Sequence, residues 1–125
     1  MRFAGSLIAI LLLAGLARWL KLGPQRRLDN DDAAREAAQE ALDGFEPVAI
    51  ARDRAGGAAL LRDAEGRILL LRRHGSHFAG RLLDGNARAG IDDGVLIVDS
   101  GERRYGVVRL DIDQPEAWRD AIARV

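Results

Sequence analysis

Between Phe3 and Ala17 the chain reads FAGSLIAILLLAGLA, fifteen residues without a charged side chain. The stretch is apolar all round rather than along one stripe, which a small soluble fold has no way to cover at an N-terminus. Continued through Arg18, Trp19 and Leu20 it reaches eighteen residues, the short end of a bilayer span. Arg18 fits that reading, because its stem lies along hydrocarbon while its guanidinium reaches the headgroups. Trp19 stands where interfacial aromatics gather, and Lys21, Arg26 and Arg27 come soon after it. The pattern predicts a transmembrane helix over residues 3–22, with Arg18, Trp19 and Lys21 at the membrane interface. The C-terminal side of the span offers basic residues at 18, 21, 26 and 27, against Arg2 on the other side, so the positive-inside rule puts the rest of the chain in the cytoplasm of a bacterial cell. A cleaved signal peptide is the competing reading. Gly15-Leu16-Ala17 offers a small-x-small site, and cleavage there sends the remainder to the periplasm.

The remainder of the chain has room for one small domain, since the whole is 125 residues. Over the full 125 residues, 19 basic and 19 acidic side chains cancel, which argues against nucleic acid as a partner, because such domains carry a dominant positive footprint. The sequence has no cysteine, so disulfides, thiolate metal ligands and cysteine nucleophiles are excluded.

Gly23-Pro24 breaks the helical pattern and opens a linker. Residues 23–44 then hold an amphipathic helix over 31–43, capped at Asn30 or Asp31, with Ala34, Ala37, Ala38, Ala41 and Leu42 as a narrow apolar stripe. Gly44 is the residue expected to close it in the left-handed region. So much alanine buries little area and implies close approach to a neighbouring surface.

From Phe45 the period becomes extended. FEPVAIARD, AALLRD and RILLLRRH are strands, the last two joined by Asp63-Ala64-Glu65-Gly66, a hairpin signal with glycine where positive φ is needed. The unbroken run Ile68–Leu71 marks a strand in the middle of its sheet. HFAGRLL, ARAGI, VLIVD and RRYGVVRLDI complete the set, with Asp92-Asp93-Gly94 as a further hairpin turn. Gly80, Gly90 and Gly106 inside these strands suggest bulges or bends. The C-terminus reads as a helix, with Asp113 and Glu116 as a capping box, Pro115 in the first turn, and Ala117, Trp118, Ala121, Ile122 and Val125 on one face. The fold class is therefore α+β: a linker helix, then over 45–125 a curved antiparallel sheet or small barrel of six to seven short strands, capped by a C-terminal helix.

That element order, with Trp118 on the closing helix, resembles the pleckstrin-homology-like superfold over residues 45–125. The whole chain resembles short single-anchor membrane proteins of alphaproteobacteria, which bring no known activity with them. Phosphoinositide-binding members of the superfold carry a basic signature around the first hairpin; Arg52, Arg54 and Arg62 match it in charge alone. The resemblance implies a binding domain that recognises anionic lipid headgroups.

Chemistry-bearing residues concentrate between positions 67 and 88. Arg67, Arg72, Arg73, Arg81 and Arg88 and both histidines, His74 and His77, fall there against Asp84 as the window's single acid. Such a face suits an anionic partner or headgroup. His74 and His77 form an H-x-x-H pair, the start of a metal-assisted hydrolase site, but a zinc centre needs one or two further ligands that no spacing supplies. Ser76 lies beside His77 on an extended segment, where neighbours point to opposite faces, so it makes no nucleophile–base pair. No phosphate-cradling glycine motif and no nucleophile elbow occurs. The sequence thus reads as a non-catalytic module anchored in the bacterial inner membrane, using no cofactor and engaging a protein partner in the membrane as an accessory or assembly subunit. Headgroup binding by the 67–88 face is the alternative.

Overall fold

The structure is a computed structural model that describes residues 27–125; the expected span at 3–22, with Arg18, Trp19 and Lys21, lies outside the described residues. Among the described residues no helix is long and apolar enough to cross a membrane.

Helix α1 (Asp31–Ala41) starts where the Asn30 carboxamide oxygen accepts the Ala33 amide at 2.7 Å, satisfying one of the unpaired N–H groups of the first turn. It ends two residues earlier than the alanine pattern suggests. There Gln39 folds over the terminus, its Oε1 accepting from the Gly44 amide and its Nε2 donating to the Phe45 carbonyl. Gly44, at φ 82°, makes the reversal.

Strands β1 (Pro47–Arg52), β2 (Ala58–Asp63), β3 (Ile68–His74) and β4 (His77–Leu82) form an antiparallel meander. Strands β5 (Arg88–Asp92), β6 (Val95–Asp99) and β7 (Val107–Leu110) form a second, and helix α2 (Pro115–Ala123) closes the chain. The architecture is α+β as expected, but the strands make two separate sheets of four and three rather than one curved sheet or a closed barrel.

The run Ile68–Leu71 is buried throughout because β3 is an interior strand of a sheet covered on both faces. Ile68 and Leu70 point with Leu60 into the core shared with Leu96, Val98, Val108 and Leu110 of the second sheet. Leu69 and Leu71 point with Leu61 and Phe78 the other way, against Ala34, Ala37 and Ala38 of α1 and against Leu28 and Phe45. Alanine on α1 is what permits the helix to lie this close. Gly80 serves the same contact, since a Cβ there would stand 2.6 Å from the Ala41 methyl. The register of β3 and β4 runs evenly past Gly80, and that of β5 and β6 past Gly90; the irregularity lies between Pro47 and Ala49 in β1.

Two further expectations are corrected. Asp113 and Glu116 do not form a capping box: the residue before α2 is Gln114, at φ 55° with no side-chain cap, and the Asp113 carboxylate instead accepts from Arg54 at 2.9 Å. Nor is RRYGVVRLDI one strand. Gly106 turns the backbone at φ 80°, only Val107–Leu110 pair with β6, and Tyr105 folds inward. On α2, Ile122 is buried and Trp118 and Ala121 pack on the inter-sheet core, joined by Val125 beyond the helix, while Ala117 is exposed.

Candidate anion-binding groove

The face of β3 that carries Ile68 and Leu70 into the core continues as Arg72 and His74 beyond it. Across the ladder on β4, Arg81 stands opposite Leu70, Ala79 opposite Arg72, and His77 opposite His74. Arg72, His74, His77 and Arg81 therefore share one face of one hairpin by register alone. The segment joining β6 to β7 closes the groove from the other sheet and brings in Arg104 and Tyr105. The resulting cleft has a volume of about 400 Å³, lined by Arg72, Arg73, His74, Ala79, Arg81, Arg104 and Tyr105.

Tyr105 holds the two sheets together here. Its ring is buried, and its single hydroxyl proton is shared between the carbonyl oxygens of Leu70 at 3.1 Å and Ala79 at 2.9 Å. Burial pushes the phenol up to about 12, against the lowering pull of the Arg81 and Arg72 charges, so it stays a neutral donor. The Arg81 guanidinium lies over the ring with its carbon 5.1 Å from the centroid, and donates to Glu102 at 2.7 Å. That charge-assisted bond raises Arg81 above its ordinary value and fixes the cation in place. Arg72 donates to the Tyr105 carbonyl. Gly106 leaves room for it, because a Cβ there would meet the Arg72 Nη1 at 2.9 Å.

Of the arginines around the cleft, Arg81 pairs with Glu102. Arg72, Arg81 and Arg104 are exposed, and among the described residues Arg104 enters no ion pair. The guanidinium of Arg73 lies beside Gly57 in the β1–β2 turn. The His74 and His77 rings meet edge to face with centroids 5.8 Å apart at the hairpin tip. Planar forked donors in a fixed array suit the oxygens of a phosphate or carboxylate. No hydroxyl or thiol nucleophile lines the cleft beside a base. Among the described residues no group of three or more histidine or acidic side chains is placed to hold a metal ion, and His74 and His77 have no third ligand.

The window 67–88 is not one surface. Arg67 lies at the opposite end of the four-stranded sheet, where its Nε donates to Asp63 at 2.6 Å and its guanidinium stands 5.9 Å over the Phe45 ring. Arg88 lies on β5, donating to the carbonyls of Gly85 and Ala87. The structure brings together Arg72, Arg73, His74 and Arg81, leaves His77 at the rim, and adds Arg104 and Tyr105. No count over a sequence window joins positions 72 and 104; the one available signal is the Arg103-Arg104-Tyr105 triplet at a turn. No family model, curated protein or solved structure matches the chain.

Proposed function

We propose that the protein is a non-catalytic interaction module held at the bacterial inner membrane by residues 3–22, with its domain in the cytoplasm, and that it serves as an accessory or assembly subunit of a membrane complex. Its recognition element is the arginine groove, which takes an anionic group. The observation that carries this is the convergence of Arg72, Arg81 and Arg104 around Tyr105, an array of cationic donors beside His74 with no serine, threonine or cysteine nucleophile in the lining. Four-plus-three strands closed by an amphipathic C-terminal helix also support the likeness to the pleckstrin-homology-like superfold. Residues 3–22 supply what an accessory subunit needs, a fixed station beside its target.

Purification of the tagged full chain in mild detergent, at low and high salt, tests the reading. Co-purifying material that high salt releases, and that Arg104→Glu fails to retain, supports it. Recovery of the protein alone and monomeric under every condition refutes it.

A further inference from the structure

We infer that the groove faces the bilayer entered by the N-terminal segment, and that its arginines hold phosphate groups of anionic lipids there. The inference rests on the reading of residues 3–22 as an anchor and goes beyond it to the orientation and ligand of the domain. The chain enters the domain at the groove's own end. The Leu28 amide donates to the Gly56 carbonyl at 3.0 Å, and Arg27 packs against Gly56. The next residue, Gly57, accepts from the Arg73 amide at 2.9 Å. Entry point and groove are therefore neighbours across one turn. Arg67 and the β2–β3 hairpin lie at the far end of the same sheet.

Chain length then fixes the reach. The residues from Leu22 to Arg27 extend at most about 18 Å, so the groove's end of the domain stays beside the headgroup layer. Near the entry Asp29 pairs with Arg27 and Asp31 with Arg52, Asp111 and Asp113 share Arg54, and Asp53 accepts from the Ala55 and Asp111 amides. In the groove itself, Arg72 and Arg104 enter no ion pair among the described residues and present their charge to the cleft. Each arginine near an anionic surface strengthens attraction by about fivefold. Tethering makes the contact intramolecular, with an effective concentration on the order of millimolar, so a weak face is enough to set the orientation.

The absence of cysteine makes the test direct. Full-length protein carrying Ser76→Cys at the exposed β3–β4 tip, or Glu65→Cys at the far hairpin, is reconstituted into vesicles of neutral lipid or of neutral lipid with one third phosphatidylglycerol. The rate of reaction with a bulky water-soluble maleimide is then measured. We expect phosphatidylglycerol to slow reaction at position 76 several-fold and leave position 65 unchanged, high salt to remove the protection, and Arg104→Ser to weaken docking by about fivefold. Arg104 holds no ion pair among the described residues, so a thermal melt of that variant should match the parent. Equal rates at position 76 in both membranes, in protein that floats with the vesicles, overturn the inference and leave the anchor standing. Protein that does not float defeats the anchor, and the inference with it. Protection by a polyglutamate peptide in neutral vesicles, where phosphatidylglycerol gives none, assigns the groove to an acidic protein and overturns the lipid assignment.

Discussion

The Arg81 guanidinium rests on the ring of Tyr105, 5.1 Å from carbon to centroid, and so ties the four-stranded sheet to the segment that leads into β7. Two separable interactions meet at Tyr105: the ring carries Arg81, and the hydroxyl is shared by the Leu70 and Ala79 carbonyls. Tyr105→Phe keeps the first and removes the second. The expected cost is about 1 kcal/mol, seen as a melting temperature about 4–8 °C lower, with anion binding unchanged. Circular dichroism melts and a salt-dependent binding assay on the same sample check both halves.

Burial gives Tyr105 a second signature. Its phenol is held protonated until pH about 12, against the ordinary value of 10.0, so the unfolded chain loses this proton first. The stabilisation is present in full below pH 10.0 and is lost as pH rises toward about 12. Because Tyr105 is the chain's one tyrosine, absorbance at the phenolate band reads it alone. Titration at the ordinary value in the folded protein would show the hydroxyl to be exposed.

At the β2–β3 hairpin, Asp63 is a buried carboxylate that accepts from the Glu65 amide at 3.0 Å, the Arg67 amide at 2.8 Å and the Arg67 guanidinium at 2.6 Å. Burial alone would push it up; the bonds and charge from Arg67 outweigh that, with the Glu65 amide adding to them, and hold it below its ordinary value. Its contribution is therefore present above the unfolded-state value near 3.8 and is lost as pH falls through the lower folded-state value. Asp63→Ala should cost about 1–3 kcal/mol at neutral pH, because turn amides lose their acceptor. Denaturant titrations at neutral and acidic pH should show the gap to the parent protein narrowing in acid.

Two strand glycines separate close packing from open surface. Gly80→Ala sets a methyl against Ala41, with the Leu69 and Leu71 side chains at 3.2 and 3.3 Å, and should cost about 1–3 kcal/mol by forcing α1 from the sheet. Gly90→Ala meets nothing within 4 Å and should change stability by less than about 0.5 kcal/mol. Equal losses at the two positions would contradict the packing described for α1.

Turn chemistry and apolar period carried most of the element order. Asp63-Ala64-Glu65-Gly66 and Asp92-Asp93-Gly94 mark their hairpins, with Gly66 and Gly94 at φ 87° and 79°, and the Ile68–Leu71 run marks an interior strand. Local signals failed where a distant residue competed. Asp113 looked like a cap for the final helix, but Arg54, 59 residues away in sequence, takes its carboxylate. The strand leading to Leu110 looked continuous until Gly106 and the inward fold of Tyr105 shortened it. The groove was half legible. Alternation along β3 and β4 puts Arg72, His74 and Arg81 on one face, whereas Arg104 arrives through the packing of one sheet on another. Arg67 and Arg88 are close in sequence to that face and elsewhere in space, because a charge count does not register which end of a strand a residue occupies.

Membrane topology decides whether the domain is held at the inner membrane and faces the cytoplasm, as proposed. A C-terminal tag on the full chain is tracked in intact spheroplasts treated with external protease, with membrane and soluble fractions run alongside. The expected result is a full-length tag in the membrane fraction, protected until the membrane is broken. A tag digested from outside, or a shortened protein in the soluble fraction, would contradict it and place the domain in the periplasm.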